Sequence, residues 1–160
     1  MIRPVNLKDA KNIVDIYNYY IKNTTITFED TELSVEEMRL RIENLCKKNI
    51  YFVYENDGQI LGYCYAHHWK ERAAYGKTYE ISIYLDINVQ GKGIGSLLIR
   101  RLIEECKKEQ CHALIACITA ENTSSIKFHQ KFGFKQVSSF KEVGFKFGRF
   151  LDVNDYELML

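Results

Sequence analysis

The segment from Thr78 to Thr119 restricts the fold more than any other. In "TYEISIYLD", Tyr79, Ile81, Ile83 and Leu85 alternate with Glu80, Ser82 and Tyr84, so one face of a strand is aliphatic and Glu80 lies on the other. "NVQGKGIGS" then brings Gly91, Gly93 and Gly95 together, and the apolar and basic positions after it predict a helix through about Glu109. "HALIACIT" is nearly continuous in apolar residues, as a strand covered on both faces should be. The unit is strand, glycine loop, helix, strand, which implies α and β elements around a central mixed sheet.

Upstream, "IRPV" predicts a short strand. A helix follows in which Ile13, Ile16, Tyr17, Tyr20 and Ile21 recur at helical spacing behind Asn6 as its cap. Ser34 and Glu37 form a capping box ahead of Val35, Met38, Ile42 and Leu45, marking a second amphipathic helix. "IYFVYE" and "ILGYCYA" predict a hairpin turning at Asp57-Gly58. Downstream, "ENTSSIKFHQKFGF" predicts a short helix ending at Gly133, and the remainder two final strands.

At 160 residues one domain, 1–160, is expected. Lys plus Arg (22) nearly cancel Asp plus Glu (21), so the overall charge gives no case for nucleic acid or a membrane surface as partner. The charged N-terminus makes no apolar run of signal-peptide type and no later run approaches a spanning helix, so a cytoplasmic protein is expected. Five cysteines without C-x-x-C spacing argue against a disulfide framework and a structural zinc site, and predict buried free thiols. Adjacent His67 and His68 point opposite ways on a strand, so no metal is expected.

The order of residues in "GKGIGS" excludes two nucleotide loops. It is not G-x-G-x-x-G, and Lys92 precedes the last two glycines where a triphosphate loop needs the lysine after them. Two readings remain: a tight strand-to-helix turn, or a cradle in which glycine backbone and a helix N-terminus hold an anion such as a pyrophosphate.

Gln90-x-x-Gly93-x-Gly95 after a strand, with Asn122 and "SSIKFHQKFGF" one strand later, resembles the acetyl-CoA signature of the GNAT superfamily of N-acetyltransferases. "HHWKERAAYGKTYEISIYLD" and "VGFKFGRFLDV" are similar to its phosphinothricin acetyltransferase subgroup, and the likeness covers most of Phe28 to Val153. The resemblance implies an α/β (α+β) fold with a central mixed, mostly antiparallel sheet flanked by helices. It implies acetyl-CoA bound at Ile83, Tyr84, Leu85, Gln90, Gly91, Lys92, Gly93, Ile94, Gly95, Ser96, Asn122 and Ser125, a small-molecule amine substrate, and a homodimer.

The same resemblance makes Glu80 the general base that frees the amine from its ammonium form, against the plain reading of a solvated or salt-bridged strand acid. His129 is either the general acid for the thiolate or part of the amine site; taken alone it reads as a packing residue. A main-chain amide near Leu85 is implied as donor to the oxyanion. Lys70, Arg72 and Tyr75, with Phe28 and Glu29, match the subgroup's substrate segments, the plain alternative for "KER" being a solvated loop. The tail departs from the subgroup at Phe147, Phe150 and Leu151, which favours a bulkier apolar acceptor than phosphinothricin. Acyl transfer through Cys64 is the competing chemistry, disfavoured by its apolar strand.

Overall fold

The computed structural model describes residues 1–47 and 50–160. Its elements are β1 (Ile2–Pro4), α1 (Ala10–Asn23), α2 (Val35–Cys46), β2 (Ile50–Asn56), β3 (Gln59–His68), β4 (Thr78–Leu85), α3 (Ile94–Lys108), β5 (Ala113–Thr119), α4 (Thr123–Lys131), β6 (Lys135–Gln136), β7 (Phe140–Lys146) and β8 (Arg149–Met159). They form an eight-stranded sheet in the order β1-β2-β3-β4-β5-β8-β6, with β7 also paired to β8. Every pairing is antiparallel except β4 with β5.

The local signals act where the sequence places them. Asn6 accepts from Lys8 N and forms a capping box with Asp9, but it caps a single 3-10 turn (Leu7–Asp9) that leads into α1. Ser34 and Glu37 close their capping box on α2. Asp57 (φ +50°) and Gly58 (φ +77°) make the β2–β3 turn, whose left-handed backbone matches the twist of a tight hairpin. Sequence periodicity did not resolve β6, a two-residue strand on the edge of β8.

Because strand side chains alternate, the sheet has two cores. Ile50, Phe52, Cys64, Ala66 and Ile81 pack against Leu98, Ile99 and Leu102 of α3, while Tyr51, Val53, Ile60 and Tyr63 pack against α1 and α2 on the opposite face. Three thiols are buried as expected, but Cys46 and Cys117 are exposed. Among the described residues no helix is long and apolar enough to cross a membrane.

Candidate active site

The site forms where β4 and β5 part company. They pair only over Thr78–Glu80 with Ala113–Ile115, and beyond Glu80 they diverge. Thr78 O accepts from Trp69 N at 3.1 Å and Asp86 N donates to Leu61 O at 2.9 Å, so the even-numbered main chain turns toward β3. By strand alternation the peptide groups of Ile81, Ile83 and Leu85 turn the other way, into the fork. Tyr20 Oη donates to Leu85 O at 2.6 Å and accepts from Gln90 Nε2 at 2.9 Å, which ties α1, the end of β4 and the glycine loop together.

Gly91 and Gly93 have φ of +76° and +85°, and a Cβ at either would meet nothing within 4 Å. The backbone there is left-handed and lies open. Gly93 caps α3, whose first bond runs from Leu97 N to Gly93 O at 3.2 Å. The amides of Ile94, Gly95 and Ser96 precede that bond and, with the positive end of the helix dipole, suit an anion. A cavity of about 480 Å³ joins this helix end to the fork. Of the residues expected to hold cofactor, Ile83, Tyr84, Leu85, Gln90, Gly91, Gly93, Gly95, Ser96, Asn122 and Ser125 line it. Lys92 and Ile94 do not: the Lys92 side chain is exposed and that of Ile94 turns into the core.

Deeper in the fork the lining continues through Ile81, Ser82, Cys117, Thr119 and His129. His129 sits on α4, held there because Asn122 caps the helix by accepting from Ser125 N. It is only 7% exposed. Its Nδ1 lies 2.8 Å from Ser125 O, and a carbonyl only accepts, so Nδ1 carries the proton. Burial holds this imidazole below its ordinary range, against the smaller upward pull of the Ser125 carbonyl. Nε2 is therefore a lone-pair acceptor, and it has no protein partner among the described residues.

Glu80 stands at the apex of the fork, one residue before Ile81. It forms no ion pair among the described residues and is half-buried. Burial raises its pKa most, His67 across the β3–β4 pair pulls it back, and Asp155 raises it further.

The expected acceptor residues are dispersed. Lys70, Arg72 and Tyr75 lie on the exposed β3–β4 loop, where Lys70 Nζ sits 4.1 Å from the Trp69 ring centroid and Tyr75 meets Trp69 edge-on. Glu29 is engaged by Arg41 at 2.6 Å and by Tyr17 Oη, so its carboxylate braces the α1–α2 loop. Phe28 covers Gly144 so closely that a Cβ there would fall 2.6 Å from its ring. Cys64 is fully buried, its thiol pushed up by burial and its Sγ on Leu98 O, which leaves it unsuited to acyl transfer.

Sequence reasoning did not assign Tyr20, Ile26, Ser124, Phe128 and Lys131, all of which line the main cavity. Lys131 was visible as a basic residue two positions after His129, but only the fold brings it to the cavity that the glycine loop lines. Free helix amides beside Lys131 suit a pyrophosphate, and the unpaired β4 edge suits an amide-bearing arm. Bound there, acetyl-CoA would supply an activated acetyl thioester.

A fork of this kind, opening from the end of a glycine-capped helix, suits the ligand of an acyl-CoA-dependent transferase. Residues 2–154 match the family model described as an acetyltransferase (GNAT) domain, and the chain belongs to that family. It is 37% identical over 153 residues to a phosphinothricin N-acetyltransferase of Alcaligenes faecalis, covering 94% of this chain and 78% of that one. It is 30% identical to an L-methionine sulfoximine/L-methionine sulfone acetyltransferase of Pseudomonas aeruginosa, covering 99% and 94%. A crystal structure of a GNAT phosphinothricin acetyltransferase from Sinorhizobium meliloti with AcCoA superposes with a TM-score of 0.96 at 34% identity, covering 100% and 88%. The fold is the GNAT fold, and the chain is an acetyl-CoA-dependent N-acetyltransferase.

Proposed function

We propose that the protein transfers acetyl from acetyl-CoA to the α-amino group of a small amino acid or analogue of the phosphinothricin, methionine sulfoximine or methionine sulfone type. The observation that carries this reading is the unpaired Glu80 at the apex of the β4–β5 fork, next to the unpaired peptide edge of β4. An α-ammonium must lose a proton before its nitrogen can attack, and a carboxylate whose pKa is raised by burial is a better match to that proton than an exposed one. Glu80 takes the proton, directly or through one water. The amides of Ile83 and Leu85, turned into the fork, are placed to donate to negative charge developing on the acetyl oxygen.

His129 acts as an acceptor in this account. With Nδ1–H committed to Ser125 and the ring neutral near pH 7, Nε2 has no proton to give, so it orients the amine or a water in place of protonating the thiolate. Lys70 and Arg72 form no ion pair among the described residues and are free to meet the acceptor's acid group. The chain works as a homodimer through the β7–β8 hairpin, where Phe140, Val143, Phe145, Phe147 and Phe150 are all exposed, an apolar surface that favours burial against a second copy.

CoA-thiol release from acetyl-CoA tests the reading across methionine sulfone, methionine sulfoximine, phosphinothricin, common amino acids, spermidine and an N-terminal peptide. Release is expected with an α-amino acid and is weakened with its methyl ester. Arg72→Ala should raise the acceptor KM roughly tenfold, the size of one charge-assisted hydrogen bond. Release confined to spermidine or the peptide would refute the amino-acid assignment.

A further inference from the structure

Asp155 lies outside every motif that carries the family likeness. In register, Cys117 of β5 faces Asp155 of β8, and Glu80 of β4 faces Ile115, which faces Glu157. Residues in register on neighbouring strands share a face, so Glu80, Cys117, Asp155 and Glu157 rise from one side, together with His67 opposite Glu80 on β3. This is the side that α1 and α2 cover over β2 and β3, but Cys117 on β5 stays exposed.

Asp155 faces Cys117 directly across the β5–β8 pair, and Glu80 lies diagonally from Cys117 on β4. Burial first, then the charges of Asp155 and Glu80, push the Cys117 thiol up to about 12. The Asp155 backbone is committed elsewhere, its N–H to Ser138 Oγ at 3.0 Å and its carbonyl to Val137 N at 2.9 Å. Among the described residues neither Glu80, Asp155 nor Glu157 forms an ion pair. Two acids therefore share one face beside the fork that Cys117 lines, with His67 as the neighbouring base and no ion pair to a lysine or arginine among the described residues. The same fork holds His129, 93% buried by its 7% exposure, with Nε2 lacking a partner. The cation that the proposed transfer brings to such a pair is an organic ammonium, whose separate N–H bonds can reach two acids.

We infer that Asp155 is a specificity-determining residue of the acceptor site, which together with Glu80 receives the ammonium group of the incoming amine and holds it at the fork. The inference rests on the proposed transfer to an amine. Asp155 accepts one N–H hydrogen bond from the ammonium. Glu80 takes a proton from the ammonium and becomes the neutral acid, and the nitrogen keeps the electron pair that then attacks the acetyl carbon; collapse of the tetrahedral adduct breaks the C–S bond, and the departing CoA thiolate takes up the second proton that the nitrogen loses. The titratable groups facing Glu80 are His67 and Tyr65 of β3, Cys117 of β5, and Asp155 and Glu157 of β8.

The test is steady-state kinetics of Asp155→Asn in the full chain, with the amine that the wild type acetylates best. The amine KM should rise roughly tenfold while the KM of acetyl-CoA holds. Removing a negative neighbour lowers the pKa of Glu80, so the acid limb of kcat/KM should move to lower pH, and Asp155→Glu should restore both values. An unchanged amine KM and acid limb, with transfer intact, would overturn the inference and leave the transfer standing. Equal weakening of acetyl-CoA, measured by calorimetry, would show a structural role and overturn it as well. If the best amine lacks a carboxylate, the amino-acid assignment fails while the Asp155 comparison is decided on its own readout.

Discussion

Glu80→Gln is expected to lower kcat by about two to four orders of magnitude with the best amine, the range that one positioned base contributes, while acetyl-CoA binds as before. Calorimetric titration of cofactor beside the turnover measurement separates the two effects. The carboxylate form is the active one, so wild-type kcat/KM should climb with pH through the raised pKa of Glu80, and this limb should be lost in the glutamine variant. Stability runs the opposite way. A carboxyl whose folded pKa lies above its unfolded value contributes stability that is full below the unfolded pKa and lost as pH rises through the folded one. Glutamine carries no such loss, so the variant should melt no lower than wild type at pH 7, with any advantage vanishing in acid. A variant that loses stability and cofactor binding in parallel would make Glu80 a structural residue.

Leu98→Ala should carry the largest effect on stability. Leu98 is fully buried on α3, its carbonyl takes the Cys64 thiol, and its side chain lies 3.4 Å from where a Cβ on Gly62 would stand. Truncating a leucine in such a place costs about 2–5 kcal/mol, a large part of the ~5–15 kcal/mol that holds a domain together. For a chain of this size that corresponds to a fall in Tm of roughly 5–15 °C. Acetyl-CoA binds only the folded state, so saturating cofactor should recover part of the loss in a melting experiment. A shift under about 2 °C would mean that α3 is less firmly seated on β2–β4 than its burial implies.

What could be read from the sequence was local. The Ser34–Glu37 capping box, the Asp57-Gly58 turn and the alternation of β4 each depend on residues within a few positions, and each is found in place. The glycine loop and Asn122 were legible because backbone freedom and helix capping leave a signature within one segment. The fork itself was not. It arises because β4 and β5 stop pairing after Glu80, a long-range event with no periodicity of its own. The link from Gln90 through Tyr20 to Leu85 spans 65 or more positions and was hidden for the same reason. Asp155 reads in sequence as one acid in a terminal strand, and only the β5–β8 register brings it beside Cys117.

The most direct measurement follows a 13C label in the acetyl group of acetyl-CoA, with the best α-amino acid acceptor, by NMR and mass spectrometry of product and protein. The account predicts label on the acceptor's α-nitrogen, one CoA thiol released per acetyl transferred, and none retained on the chain. Label held on a cysteine, or found only on a side-chain nitrogen, would contradict it.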